Sequence, residues 1–212
     1  MERGNLFVLS GPAGAGKSMI VKKVLEKHPD VHVSVSCTTR AIREGLETDG
    51  VDYYFRTDEE FDRLIEQDAF FEWAKVHQNR YGTLKSVVNG ELDKGRDLIL
   101  EIDVQGCMNA QKQDPSIVSI FVSPPSRDNL AKRLIDRGSE TEESLRVRLG
   151  NVAGEIEQAY KYDYVIIHQD WNEVPDALDI AADEVYAIIR ARRCAKDRRK
   201  AFLDELTNSL KG

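Results

Sequence analysis

The residues predict an α/β fold, a mostly parallel sheet flanked by helices. Three observations carry that expectation. Strand-like runs and amphipathic helical runs alternate from one end of the chain to the other, which is how strand-helix-strand units read in sequence. The runs Asp97–Asp103 and Ile117–Ser123 are nearly continuous in apolar residues, as strands covered on both faces must be. A glycine-rich turn follows the first strand-like run and opens directly into a helical one.

Taken in order, Leu6–Ser10 is the first strand, and His32–Ser36 alternates around Val33 and Val35. Asp97–Asp103, Ile117–Ser123 and Tyr164–His168 complete the central sheet. Helices are expected at Ser18–Lys27 and at Thr57–Gln67, where Thr57 and Glu60 form a capping box. Another is expected at Ser126–Arg137, stopped by Gly138, and a second box of Ser139 with Glu142 opens a run to Tyr160. Between the second and third core strands lies the segment Cys37–Arg96, too long for a crossover loop. It needs a substructure of its own, with a strand at Phe70–Val76. The expected organisation is one domain over 1–212: a core at about 1–36, 96–125 and 161–212, an insert at about 37–95, and a polar lid at about 137–148.

A chain of 212 residues, 41% hydrophobic and 32% charged with 14 Gly and 6 Pro, is neither collagenous nor of low complexity. Its net charge of −7 gives a whole-molecule field that repels polyanions, so nucleic acid is not expected as a partner and a phosphate ligand must be held locally. Cys37, Cys107 and Cys194 fit neither a disulfide framework nor a zinc site, which suggests a reducing cytoplasm. The apolar run Leu6–Leu9 passes into Gly11 and a lysine, unlike an export signal, and no apolar stretch approaches the roughly 18 residues of a membrane span. The segment Arg190–Lys200 carries seven basic residues and one acid and reads as a solvated helix end before it reads as a binding patch.

Gly11, Pro12, Ala13, Gly14, Ala15, Gly16, Lys17 and Ser18 fit GxxxxGK[ST] between a strand and a helix, the context a phosphate-binding P-loop requires. The glycines let successive amides point at a polyphosphate, and the following helix adds its partial positive end. Lys17 is expected on the β and γ oxygens, and Ser18 on Mg²⁺. The fold class is therefore sharpened to a P-loop NTPase-type sheet.

The acceptor must be sought elsewhere. The stretch Ser34–Gly45 sets Arg40, Arg43 and several hydroxyls just after a core strand, where phosphate could bind, although a solvated loop explains them equally well. Glu72 would share a face with Phe70, Ala74 and Val76, and a carboxylate on an apolar face needs partners, whether an ion pair with Lys75 or a ligand. With Gly50–Phe55, Phe70–Ala74, Arg80–Thr83 and Leu100–Gly106, the ordered set from about Asn5 to Asp170 resembles guanylate kinase, the family that moves a phosphoryl group from ATP to GMP. The resemblance implies that the insert binds GMP through Ser36, Arg40, Arg43, Tyr53, Glu72, Tyr81, Thr83 and Asp103. It also implies a helical lid, with Arg133, Arg137 and Arg148 as lid and phosphate-clamping arginines. ATP is then the phosphoryl donor with Mg²⁺, and the partners are small molecules, for a monomer or homodimer.

The chemistry of those residues agrees. Guanine presents N1–H and a 2-amino group side by side, two donors one carboxylate accepts together, whereas adenine has an acceptor at N1. Arg40 and Arg43 with the phenols of Tyr53 and Tyr81 suit a phosphate dianion. Glu101 and Asp103 close one face of their strand; Asp103 is the expected ligand contact, and Glu101 an acid for Mg²⁺ water. The acceptor phosphate is already ionised near neutral pH, so no base is needed, and Lys17, Arg40, Arg137 and Arg148 are the expected catalytic groups. Three departures stand out: Ala13 where serine is frequent, one extra residue between Gly45 and Gly50, and His168-Gln169-Asp170 near the adenine side. His168, at the end of an apolar strand, reads as structural. The competing readings are a related P-loop kinase acting on ribose 1,5-bisphosphate and a guanylate-kinase-like phosphopeptide-binding module.

Overall fold

The computed structural model describes residues 2–76, 78–136, 150 and 152–211. Its centre is a sheet of five parallel strands, β1 (Leu6–Ser10), β2 (Val31–Val33), β7 (Asp97–Glu101), β8 (Val118–Ser123) and β9 (Tyr164–Ile167), in the order β2-β7-β1-β8-β9. All five residues of β1 are buried, which matches its place at the middle of the sheet.

Alternation of side chains across the sheet builds two cores. On one face Phe7, Leu9, Ile99, Ile120 and Ile166 pack against α1 (Lys17–Lys27) and α6 (Ala177–Arg193). On the other, Val8, Leu98, Leu100 and Phe121 pack against α3 (Lys85–Leu92) and α4 (Val104–Gln113). Helix α5 (Arg127–Asp136) follows β8, and α7 (Lys200–Lys211) ends the chain. Among the described residues no helix is long and apolar enough to cross a membrane.

The insert forms its own four-stranded sheet, ordered β4-β3-β6-β5, from β3 (Cys37–Thr38), β4 (Tyr54–Phe55), β5 (Phe70–Val76) and β6 (Asn79–Leu84). Helix α2 (Asp58–Glu66) seals it with Phe61, which packs on Phe70 over buried Cys37. The expected capping box is present, Thr57 accepting from the Glu60 amide and Glu60 from the Thr57 amide.

Several boundaries differ from expectation for identifiable reasons. The run His32–Ser36 leaves the central sheet after Val33: the Ser34 amide still reaches the Ile99 carbonyl, but the Ser36 carbonyl accepts from Tyr54 in the small sheet. Strand β7 stops at Glu101 because Asp103 caps α4. The segment Arg190–Lys200 has no buried residue, as expected of a solvated helix end, but two of its arginines are engaged in ion pairs. Arg193 reaches Asp97 at 2.6 Å and Asp30 at 2.7 Å, and Arg192 reaches Asp197.

Candidate active site

Strand β1 delivers the chain into a loop whose glycines are required by geometry. Gly11, Gly14 and Gly16 have φ of 141°, 84° and 95°. A Cβ on Gly11 would lie 2.3 Å from the Val122 carbonyl oxygen, and one on Gly16 would lie 2.3 Å from His168 Nδ1. The loop is thus pressed onto the C-terminal ends of β8 and β9. Lys17 arches back over it, Nζ donating to the carbonyls of Gly11 at 2.6 Å and Pro12 at 3.1 Å. Ser18, at the start of α1, meets Glu101, at the end of β7, with Oγ and Oε1 2.5 Å apart.

Beneath the loop, His168 is fully buried and its Nδ1 lies 2.9 Å from the Ala15 carbonyl oxygen. A carbonyl only accepts, and this contact is shorter than the 3.3 Å to Arg133 Nη1 at the same nitrogen, which favours the proton on Nδ1. Burial holds the imidazole below its usual pKa, and it is a structural residue, as its sequence context suggests. Arg133 lies beside it, donating to the carbonyls of Ala15 at 3.3 Å, His168 at 3.0 Å and Gln169 at 2.8 Å, with its guanidinium 4.9 Å from the Trp171 ring. This arginine braces the strand end beneath the loop. Arg137 and Arg148, the lid at about 137–148, and the Ser139 and Glu142 box lie outside the described residues.

The small sheet carries the acceptor residues. Its antiparallel register pairs Glu72 on β5 with Thr83 on β6, and Cys37 with Gly82 brings β3 alongside. Glu72 is 5% exposed, and its Oε1 accepts from Thr83 Oγ1 at 2.8 Å, with Ser36 Oγ 3.5 Å from the same hydroxyl. Thr83, not Lys75, is its hydrogen-bond partner. Burial pushes the Glu72 carboxyl up to about 7, and nearby Asp103 adds to the rise. A Cβ on Gly106 would lie 2.9 Å from Glu72 Oε2 and 3.3 Å from Asp103 Oδ1, so both acids converge on the start of α4, where Asp103 accepts from the Gly106 amide at 2.6 Å.

Arg40, Tyr53 and Tyr81 gather at the neighbouring edge. The two tyrosine rings stand 6.0 Å apart, and the Arg40 guanidinium is 5.5 Å from the Tyr53 ring centre. Burial raises the Tyr53 phenol to about 12, keeping it a neutral donor, and Glu101 contributes to that rise. Glu101 therefore lies between the two halves of the site. Arg43 sits at the rim, its side chain 53% exposed.

Sequence reading missed Glu47, which grips Arg40 through two hydrogen bonds of 3.0 and 2.6 Å. Its spacing of four residues from Arg43 within a turn was the available signal. Also missed was the bracing of the β9 end: Asp170 Oδ2 accepts from Asn129 at 2.5 Å and Oδ1 from Asn172 at 2.8 Å.

Comparison with known proteins agrees with the fold. The family model described as Guanylate kinase matches residues 3–184. The chain is 44% identical over 199 residues to a guanylate kinase of Caldanaerobacter subterraneus subsp. tengcongensis, covering 94% of this chain and 93% of that one. It is 40% identical over 210 residues to a guanylate kinase of Thermotoga maritima, covering 99% and 98%. The crystal structure of guanylate kinase from Anaplasma phagocytophilum is similar at a TM-score of 0.75, with 35% identity over 93% of this chain and 90% of that chain.

Proposed function

The chain belongs to the guanylate kinase family, and from that premise we propose how its own residues carry out ATP:GMP phosphoryl transfer. It acts as a nucleoside monophosphate kinase, with ATP as donor and GMP as acceptor. The observation that carries the substrate assignment is Glu72, a carboxylate nine-tenths withdrawn from water with one hydroxyl partner. A buried acid at that cost needs donors, and the guanine edge supplies two. The carboxylate accepts N1–H and the 2-amino group, Thr83 and Ser36 line the same wall, and Asp103 closes it from the start of α4. Adenine would set a lone pair against the acid, so AMP is refused.

The acceptor phosphate is held by Arg40, Arg43, Tyr53 and Tyr81. Its oxygen is already ionised, so the protein positions two anions and neutralises charge. The amides from Gly11 to Ser18 cradle the donor phosphates, and Lys17 exchanges its loop carbonyls for phosphate oxygens. Ser18 and Glu101 are hard oxygen donors that meet at the loop, a thin set that suits Mg²⁺, which keeps most of its waters and takes further ligands from substrate phosphates. When bound there, Mg²⁺ supplies positive charge to the β and γ phosphates. Arg137 and Arg148 are proposed to close over the transferring group and exclude water. Residues of about 37–95 are the GMP-binding subdomain in this scheme, about 137–148 the lid, and the rest the core. The enzyme is placed in the cytoplasm, acting on small molecules with neither nucleic acid nor membrane as partner.

The test is ADP release with ATP and each nucleoside monophosphate in turn. GMP should support turnover, and dGMP as well. Equal use of AMP or UMP refutes the role given to Glu72.

A further inference from the structure

Arg40 is followed by a closed turn in which the amides of Leu46 and Glu47 both donate to the Arg43 carbonyl, at 3.0 and 3.1 Å. Gly45 makes the turn possible at φ 73°, in open space. The turn swings the Glu47 carboxylate back along the chain. There Oε1 and Oε2 take Arg40 Nη2 and Nη1 at 2.6 and 3.0 Å, Oε2 also accepts from the Arg43 amide at 2.9 Å, and Arg43 Nη1 stands 3.6 Å from Oε1. One carboxylate thus ties the side chain of Arg40 to the backbone and side chain of Arg43.

Most surface ion pairs contribute little, because flexible side chains must be ordered in high dielectric. This pair differs: the Arg40 and Glu47 side chains are only 17% and 10% exposed, and the contact is two-pronged. Donor arithmetic shows what remains. Of the five N–H groups of Arg40, two go to Glu47 and one to the Ala41 carbonyl at 2.7 Å. The guanidinium stands 5.5 Å from the Tyr53 ring centre, on the side of the site that also holds Tyr81. Three of the five donors are thus spent on the protein, two of them on Glu47.

We propose that Glu47 is a positioning residue for the acceptor phosphate, one that never touches substrate but holds Arg40 and Arg43 in the attitude that receives it. This rests on the reading of Arg40 as a phosphate ligand. An arginine side chain samples many rotamers when free, so fixing it before substrate arrives removes an ordering cost from binding. The carboxylate stays ionised at neutral pH, since its hydrogen bonds to Arg40 hold it below the usual range.

The experiment is steady-state kinetics on the full chain with Glu47→Gln, Glu47→Asp, Arg40→Ala and the double variant Arg40→Ala with Glu47→Gln, alongside thermal midpoints. Glu47→Gln should raise KM for GMP about tenfold, leave KM for ATP within about twofold and lower kcat less than about threefold. Glu47→Asp, which keeps the charge on a shorter stem, should recover part of the loss. The double variant should be little worse than Arg40→Ala alone, because the effect acts mainly through that arginine. A fall in KM for GMP overturns the proposal, since Glu47 would then be a competitor for the fork. Equal rises in both KM values with a lowered thermal midpoint also overturn it, leaving a structural ion pair. If Arg40→Ala itself leaves KM for GMP unchanged, the underlying assignment of Arg40 fails. If Arg40→Ala raises it and Glu47→Gln does not, only the positioning role fails.

Discussion

Replacing Glu72 with glutamine should weaken the enzyme's use of GMP while making the ligand-free protein more stable. The two effects have one source. Glu72 is 5% exposed with its carboxyl pushed to about 7 from an ordinary 4.5, burial being the chief cause. The folded state therefore binds this proton more tightly than the unfolded chain does, so stability falls as pH rises from about 4.5 to about 7. Above that window the ionised acid costs the fold on the order of 3 kcal/mol. Glutamine keeps an oxygen for the Thr83 hydroxyl and carries no charge, but its amide N–H groups lack an acceptor, which offsets part of the gain. A net gain of about 1 kcal/mol raises the melting temperature by roughly 2–4 °C for a chain of this size. The gain should show at pH 8 and turn into a loss of about 1 kcal/mol at pH 5, where the acid is largely protonated in the fold and only the amide's unmet donors remain.

The same amide sets a donor against one of the two guanine donors. Losing a charge-assisted hydrogen bond and meeting a donor instead costs about 3 kcal/mol, or roughly a hundredfold in kcat/KM for GMP. KM for ATP should stay within about twofold. Scanning calorimetry at the two pH values and initial rates with GMP and ATP varied separately read both outcomes. A lowered melting temperature at pH 8, or equal losses for both substrates, would refute the reasoning and make Glu72 a structural acid.

Lys17→Ala should lower kcat by about 10²–10³-fold with the fold intact by circular dichroism, because the ammonium neutralises charge on the transferring group; unchanged turnover would dismiss the phosphate-loop assignment. Gly16→Ala should disable the loop, since its Cβ would lie 2.3 Å from His168 Nδ1 at a φ of 95°, and ATP affinity should drop at least tenfold with a lower melting temperature. Arg133→Ala should destabilise by roughly 2–4 kcal/mol, seen in urea titration, because the carbonyls of Ala15, His168 and Gln169 lose a shared donor. An unchanged midpoint would leave Arg133 with no bracing role.

What could be read in advance tracks how local each signal is. The phosphate loop was legible because its glycines, lysine and serine occupy eight consecutive residues between a strand and a helix. The capping box of α2 and the whole of β5 were legible for the same reason, their patterns being complete within a few residues. The end of β2 was overrun because Ser34 to Ser36 look like strand in composition, while the Ser36 carbonyl is taken by Tyr54 in the small sheet. Helices α3 and α4 went unmarked, since neither combines a strong apolar stripe with an unmistakable start and stop, and what orders them is packing on β7 and the strands beside it.

From the chain alone came the α/β class and the loop that grips polyphosphate, since composition, period and spacing are written along a single dimension; the residues for guanine and the acceptor phosphate came from the likeness to guanylate kinase. Tertiary structure decided which of those groups meet. Ser18 finds Glu101 across 83 positions, Glu72 finds Thr83 through strand register, and Arg133 turns inward to carbonyls it could only reach once β9 was laid beside β8. Burial is a property of the assembled layers, so the raised pKa of Glu72 exists only after its strand and the start of α4 have come together.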